Sequence, residues 1–276
     1  MLKLIVCIKQ VPMVSQLPWD SRTGTLKREM AEGMMNPACK HALEAALRIK
    51  HEQGANITVI TMGPPMAAEV LYEALTLGAD RGVLLTDKQM AGADTLVTSF
   101  TIARAIEKVC PEFDLVICGS QTSDSETAQV GPQLAEELEV PCAAYIESLE
   151  YSNHTIRMTR LSDDFIETLE MDLPGLVTIT TRDFYPRYAS LSGLEEAFQC
   201  SDIKTLSAKD LGISSKDIGI KASPTKILDV FSSTAEKENF VMKGAVKKIM
   251  DELFEKYGDK VSGAMEKDLK THEHGN

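Results

Sequence analysis

Leu115–Gly131 reads LVICGSQTSDSETAQVG. It opens as an apolar run, Leu115–Cys118, and breaks at Gly119. It then passes through the small and polar residues Ser120–Ser125 and enters a helix-compatible run ending near Leu138. That order is a buried strand, a polar loop and a helix start. In an α/β protein the carboxyl end of such a strand is where a ligand sits. A loop rich in backbone N–H groups and hydroxyls, pointed at a helix N-terminus, suits a phosphate or a ribose. An ordinary polar connection would read the same way. The loop carries neither G-x-G-x-x-G nor G-x-x-x-x-G-K-[ST].

Outward from this segment the chain alternates. Apolar runs predict strands at 2–8, 56–62, 82–86 and 114–118, and the runs between them predict helices at 37–52, 66–77, 94–109 and 127–138. This is the pattern of βαβ units, which implies an α/β fold with a parallel sheet and right-handed crossovers. The strands are near-continuously apolar, as a doubly wound sheet covered on both faces requires. Residues 142–181 are shorter, partly alternating runs broken by turn signals such as Tyr151-Ser152-Asn153. They predict an antiparallel extension that continues or flanks the parallel sheet. Residues 182–235 are rich in Ser, Lys, Pro and Gly and are expected to run over a surface.

A C-terminal amphipathic helix is predicted at 239–257. Phe240, Val241, Ala245, Val246, Ile249, Met250, Leu253, Phe254 and Tyr257 share one broad face. Such a helix either packs on its own domain or lies as an arm on a partner subunit. The loop-rich connection and the polar ending THEHGN favour the arm. The expected division is therefore a nucleotide-binding α/β domain at 1–235 and a C-terminal helical arm at 236–276.

Composition narrows the function. The 276 residues are 43% hydrophobic, enough for one large domain or two small ones. The formal net charge of −12 argues against nucleic acid or an anionic membrane as partner. No apolar run approaches the ~20 residues that span a bilayer, so membrane insertion is not expected. The six cysteines form no C-x-x-C pair and mostly lie in apolar runs, which fits reduced, buried thiols in a cytoplasmic protein. The five histidines show no metal-ligand spacing, and no metal site is expected. No nucleophile–base pair or functional carboxylate pair stands out, so no catalytic residue is assigned. A protein whose chemistry belongs to a cofactor needs none.

The candidate ligand contacts lie after the predicted strands. They are Cys7-Ile8-Lys9-Gln10, Met62-Gly63-Pro64, Gly92–Ser99 and Gly119–Gly131. In a parallel sheet these loops emerge on one edge and can converge. Asn36, held out of the α region by Pro37, could present its amide to a ligand. Asp94 is a natural N-cap for the helix that follows it. Thr95, Thr98 and Ser99 at that N-terminus offer hydroxyls and N–H groups to a phosphate.

Several blocks resemble, in order, the β subunits of electron transfer flavoproteins. These are Leu2–Pro12 (LKLIVCIKQVP), Met35–Lys50 (MNPACKHALEAALRIK), Thr61–Pro65 (TMGPP), Leu77–Leu85 (LGADRGVLL) and Thr181–Leu191 (TRDFYPRYASL). The loop pattern G-x-Q-x-x-D-x-x-x-x-Q-x-G of those subunits is matched by Gly119, Gln121, Asp124, Gln129 and Gly131. The resemblance implies an adenine-nucleotide α-hydrolase-like, Rossmann-like fold. It implies a nucleotide held by Cys7, Asn36, Pro37, Ala38, Cys39 and Met62 together with Gly119, Ser120, Gln121, Thr122, Ser123, Asp124, Gln129, Val130 and Gly131. The run DTLVTS at 94–99 resembles the electron-bifurcating members, and so implies FAD with its pyrophosphate at Asp94, Thr95 and Thr98. Other members bind AMP in the same place, and that alternative stays open.

Arg187 is a candidate for contacting flavin or nicotinamide phosphate, and equally for a surface ion pair. The resemblance places Leu191 in the stretch that docks on a partner dehydrogenase in related proteins. After it, the chain reads SGLEEAFQC where the AMP-binding relatives carry a lysine cluster. The resemblance further implies an oxidoreductase subunit, not an independent catalyst, paired with an α subunit that carries its own FAD. NADH would be the hydride donor. Ferredoxin or flavodoxin, and a flavin-dependent dehydrogenase or reductase of the acyl-CoA dehydrogenase kind, would be the electron acceptors. An ATP pyrophosphatase of related fold would carry S-G-G-x-D-S where this chain reads CIKQVP.

Overall fold

The computed structural model describes residues 1–13, 19–20, 25–26, 33–199, 202–226 and 241–272. The chain divides into two compact units, Met1–Lys226 and Ile227–Asn276. The first unit begins β1 (Leu2–Cys7), β2 (Gln10–Pro12), β3 (Trp19–Asp20), β4 (Thr25–Leu26), β5 (Gly33–Met35), α1 (Pro37–Gln53) and β6 (Ala55–Met62). It continues with α2 (Ala68–Leu77), β7 (Arg81–Leu85), α3 (Thr95–Val109), β8 (Leu115–Gly119) and α4 (Val130–Glu137). Then come β9 (Cys142–Ile146), β10 (Ser148–Ser152), β11 (Thr155–Ser162), β12 (Phe165–Asp172) and β13 (Gly175–Ile179), followed by α5 (Leu191–Gln199), β14 (Ile203–Leu206) and α6 (Gly219–Ala222).

Seven strands form one sheet in the order β14-β7-β6-β1-β8-β13-β9, and every pairing in it is parallel. Both faces are covered, because side chains alternate along each strand. Leu4 and Val6 of β1 join the core beneath α1 and α2, while Ile5 and Cys7 join the core beneath α3 and α4. The expected doubly wound α/β fold is therefore present, and no helix among the described residues is long and apolar enough to cross a membrane.

The region 142–181 differs in part from its expectation. Only β10, β11 and β12 form an antiparallel sheet. β9 and β13 enter the main sheet as parallel strands. β13 is buried along its whole length, because it lies between β8 and β9. Residues 182–235 also hold more structure than a surface run. Ile203–Leu206 pairs with β7 as the edge strand β14, and α5 and α6 flank it in sequence.

Helix α4 begins at Val130, not near 127, because Glu126 (φ 50°) and Ala128 (φ 55°) take left-handed backbone that no right-handed helix admits. Gly131, in the first turn of α4, lies so close to β13 that a Cβ would meet Thr178 Cγ2 at 2.4 Å.

The second unit holds α7 (Val246–His272). It starts later and runs further than the expected 239–257. Gly244 at φ 150° blocks a helical start before it, and the helix formers of 255–272 extend it. Phe240 lies outside the described residues. Val246, Met250 and Phe254 repeat every fourth residue and are exposed.

Gly131→Ala is expected to cost about 1–3 kcal/mol, as overpacking of a close contact does, and to lower the urea midpoint. Adding Thr178→Ser removes the clashing methyl and keeps the hydroxyl that accepts from Tyr145 N at 2.9 Å. The double variant is expected to regain most of the loss. No recovery would mean that the helix–strand contact is not what requires glycine.

Candidate functional site

The connections turn opposite ways on either side of β1. The chain runs from β1 to β6 and β7 in one direction, and β8, β13 and β9 lie in the other. The crevice outside the carboxyl ends of β1 and β8 is thus the topological switch point, where open α/β sheets bind ligands. Four elements meet there. Cys7 and Cys118 are register partners at the ends of β1 and β8. Gly119 comes so near the start of α1 that a Cβ would lie 2.8 Å from the carbonyl carbon of Ala38 and 2.9 Å from Cys39 N. Only glycine permits that approach.

Asn36 locks the loop that follows. Its backbone is extended (φ −53°, ψ 132°), as the Asn-Pro pair requires, and it caps α1 without a side-chain bond. The amide is spent on the loop instead. Nδ2 donates to Gln121 O at 2.8 Å, and Oδ1 accepts from Ser123 N at 3.0 Å. Nδ2 also reaches Cys39 Sγ at 3.3 Å. The side chain is buried, so these bonds form away from competing water.

Lys9 fixes the next residue. Its Nζ donates to both carboxylate oxygens of Asp124, at 2.8 and 2.7 Å. Burial alone would raise the Asp124 carboxyl, but bonds from Lys9 and Thr122 outweigh it and hold it below the ordinary range. Asp124 therefore faces an ammonium, and a phosphate entering the crevice would meet the same cation.

The second group of candidates surrounds the start of α3. Asp94 caps it, Oδ1 accepting from Val97 N at 3.0 Å. Its other oxygen accepts from Thr225 N at 2.9 Å, and its own N–H donates to Ser223 Oγ at 2.9 Å. Burial pushes the Asp94 carboxyl up, but the N–H donors of Val97 and Thr225 bring it below the ordinary range. Thr95 Oγ1 donates to Gln129 Oε1 at 2.9 Å, and Ser99 Oγ donates to Val130 O at 3.1 Å. The two stretches named in the sequence, 94–99 and 119–131, are thereby joined. The first turns of α1, α3 and α4 contain no acidic residue. At α1 and α4 the N-terminal partial charge meets no acidic side chain, whereas at α3 the Asp94 carboxylate already lies on it.

Cys7, Asn36, Pro37, Ala38, Cys39, Gly119 and the 120–124 loop are thus brought together, and Thr95 and Ser99 meet Gln129 and Val130, while Asp94 and Thr98 lie in the same first turn of α3 without a bond to that loop among the described residues. Met62 ends β6, two strands from β8, and packs on the α3-side core. Gly131 belongs to the packing of α4, not to the open loop. Arg187 lies elsewhere. Its Nε and Nη2 donate to Glu44 of α1 at 2.8 and 3.1 Å, and its backbone N donates to the same carboxylate at 3.2 Å. Burial would raise the Glu44 carboxyl, but Arg187 keeps it below the usual range. The stability from this pair is present above the ordinary glutamate pKa and is lost as pH falls through the lowered one. Leu191, the first residue of α5, is exposed.

The sequence reading names Lys9 only within the loop after the first strand, without its Asp124 partner, and gives no sign of Glu44, Ser223 or Thr225; the charge of Lys9 opposite an acidic loop was the available signal. Nothing local marks Ser223 or Thr225, which act across more than 120 residues of chain.

Comparison with known proteins gives matches over most of the chain. Residues 23–210 match the electron transfer flavoprotein domain. The chain is 38% identical over 255 residues to the electron transfer flavoprotein subunit beta of Thermoanaerobacterium thermosaccharolyticum, covering 92% of this chain and 97% of that one. It is 40% identical to subunit CarD of the caffeyl-CoA reductase-Etf complex of Acetobacterium woodii, over 85% of this chain and 89% of that one. It is 35% identical to the acryloyl-CoA reductase electron transfer subunit gamma of Anaerotignum propionicum, over 92% and 97% respectively.

Asn36→Ala removes both loop bonds and leaves Gln121 O and Ser123 N without their partner. At about 1 kcal/mol per bond, amide exchange across 120–125 is expected to quicken more than tenfold. Unchanged exchange there would mean that Asn36 does not hold the loop.

Proposed function

The chain belongs to the electron transfer flavoprotein family, among its β subunits, and from that premise we propose that it binds FAD at the β1/β8 crevice and works as the NADH-facing half of an electron-bifurcating heterodimer. Bound FAD supplies hydride acceptance from NADH and single-electron delivery. The acceptors this chemistry would serve are a low-potential carrier, ferredoxin or flavodoxin, and, by way of an α subunit with its own FAD, a flavin-dependent dehydrogenase or reductase. The names of the Acetobacterium and Anaerotignum relatives associate those proteins with acyl-CoA-type reductases, which supports a partner of that class.

The observation that carries the reading is that two groups of loop and helix-start residues are joined by hydrogen bonds. Residues 119–124 and the start of α1 form one, with Lys9 as its cation. The first turn of α3, capped by Asp94 and bearing Thr95 and Thr98, forms the other. The Thr95–Gln129 bond sets them side by side. A mononucleotide needs one such group, whereas a dinucleotide uses both. In this reading Thr95 and Thr98 orient the pyrophosphate, and Asn36 keeps the loop backbone aimed at the nucleotide. The protein's contribution is placement and orientation.

A second reading is AMP held structurally in the first group alone. It is favoured by one detail, that Ser223 and Thr225 bond Asp94 at the start of α3.

The partner contacts are assigned to other residues. Leu191 and Tyr188 are 86% and 97% exposed, and we assign the docking of the dehydrogenase or reductase to them. We assign the exposed stripe Val246, Met250 and Phe254 of α7 to the α subunit, as an arm with an amphipathic face.

Thr95→Val with Thr98→Val is expected to lower the flavin content of the purified heterodimer while leaving the heterodimer intact. Full flavin content would remove the pyrophosphate assignment. Truncation after Phe231 is expected to abolish co-purification of the α subunit, and undiminished co-purification would remove the arm.

A further inference from the structure

Glu44 is a carboxylate in the middle of α1 whose side chain is only 7% exposed. Two arginines use it. Arg187 donates three hydrogen bonds to it, two from the guanidinium and one from the backbone. Arg48, one turn along α1, reaches it at 3.4 Å. Arg48 also donates to Asp183 O at 3.4 Å and lies over the Phe184 ring at 5.1 Å. Phe184 itself is buried in the core. Residues 183–187 are therefore fastened to α1 by a buried charge, a backbone bond and an aromatic plug.

The chain is fastened again six residues later, on a different helix. Gly193 lies against the last turn of α2 so closely that a Cβ would sit 2.3 Å from Thr76 O, a backbone atom that cannot swing aside. Ser190 starts α5 between these points, its Oγ accepting from Gly193 N and its carbonyl from Leu194 N, both at 3.0 Å. The residues between the two anchors, Tyr188–Ser192, are all exposed. A short segment pinned at both ends, with two large apolar side chains outward, has its conformation set before any partner arrives.

We propose that Glu44 and Gly193 are positioning residues for partner docking, holding Tyr188–Leu191 as a pre-formed strap between α1 and α2. This rests on the reading above that the dehydrogenase or reductase docks at Leu191. The strap lowers the ordering cost of association, so loss of an anchor weakens encounter with the partner and leaves the redox site alone. Neither anchor belongs to the nucleotide crevice. The carboxylate takes Nε and Nη2 of Arg187.

The test uses the whole heterodimer with its α subunit and, as probe, an acyl-CoA dehydrogenase with which the wild-type heterodimer exchanges electrons saturably. Glu44→Gln and Gly193→Ala are each expected to raise the KM for the dehydrogenase about tenfold, with kcat and bound nucleotide unchanged. Arg187→Lys keeps the charge without the fork and is expected to fall between them and wild type. Amide exchange across 185–192 is expected to quicken in Glu44→Gln while that across 119–131 stays the same. An unchanged KM, unchanged exchange, or loss of nucleotide would each overturn the strap. Leu191→Glu separates the two ideas. If it raises KM while the anchor variants do not, docking at Leu191 stands and the strap falls. If it has no effect either, the docking reading itself is wrong.

Discussion

The crevice depends on one buried amide. Asn36 stands where the chain leaves the β2–β5 ribbon and enters α1, and the proline after it keeps its backbone extended. In that position its side chain must find partners, because a buried amide without them costs about 1–3 kcal/mol. It finds them in Gln121 and Ser123, beyond β8. A local constraint from an Asn-Pro pair thus becomes a tertiary one. It couples the helix after the first strand to the loop after β8, and both sides of the crevice are fixed by one residue. Gly119 makes the same contact possible from the other side by admitting the backbone of α1.

The two ion pairs on this framework do different work because they sit in different surroundings. Lys9 and Asp124 are partly solvated, with side chains 40% and 30% exposed, so their attraction adds little stability. What they supply is position: an ammonium held over the loop that a phosphate would enter. Glu44 is buried and receives four nitrogen donors from two arginines. Removing one partner there leaves a charge that the interior tolerates poorly. One pair is suited to be rearranged by a ligand, and the other is suited to stay closed. The proposed nucleotide crevice and the proposed docking strap thus use different side chains of the same α1.

Much of this was legible in the sequence. The apolar runs of β1, β6, β7 and β8 are uninterrupted, and a sheet buried on both faces demands that pattern, so the parallel core could be read strand by strand. The loop 119–131 announced itself by its small polar residues. The placement of β9 and β13 did not show, because five-residue runs such as GLVTI fit a parallel or an antiparallel neighbour equally well. The start of α4 was misjudged because nothing in Glu126 or Ala128 advertises left-handed backbone. Asn36 was recognised as a site residue, but its amide turns to the loop, since a buried side chain follows the nearest unpaired backbone groups. Arg187 shows the limit most clearly. Its ion pair with Glu44 spans 143 residues of sequence, and no local pattern carries such a contact.

The central claim is that this chain holds a dinucleotide across both groups of loop and helix-start residues, not a single phosphate in one. The most direct measurement is to purify the heterodimer with its α subunit, release the bound nucleotides with acid, and count them by chromatography. Two FAD per heterodimer is the expected result. One FAD with one AMP would contradict the account and make the start of α3 an ordinary helix cap.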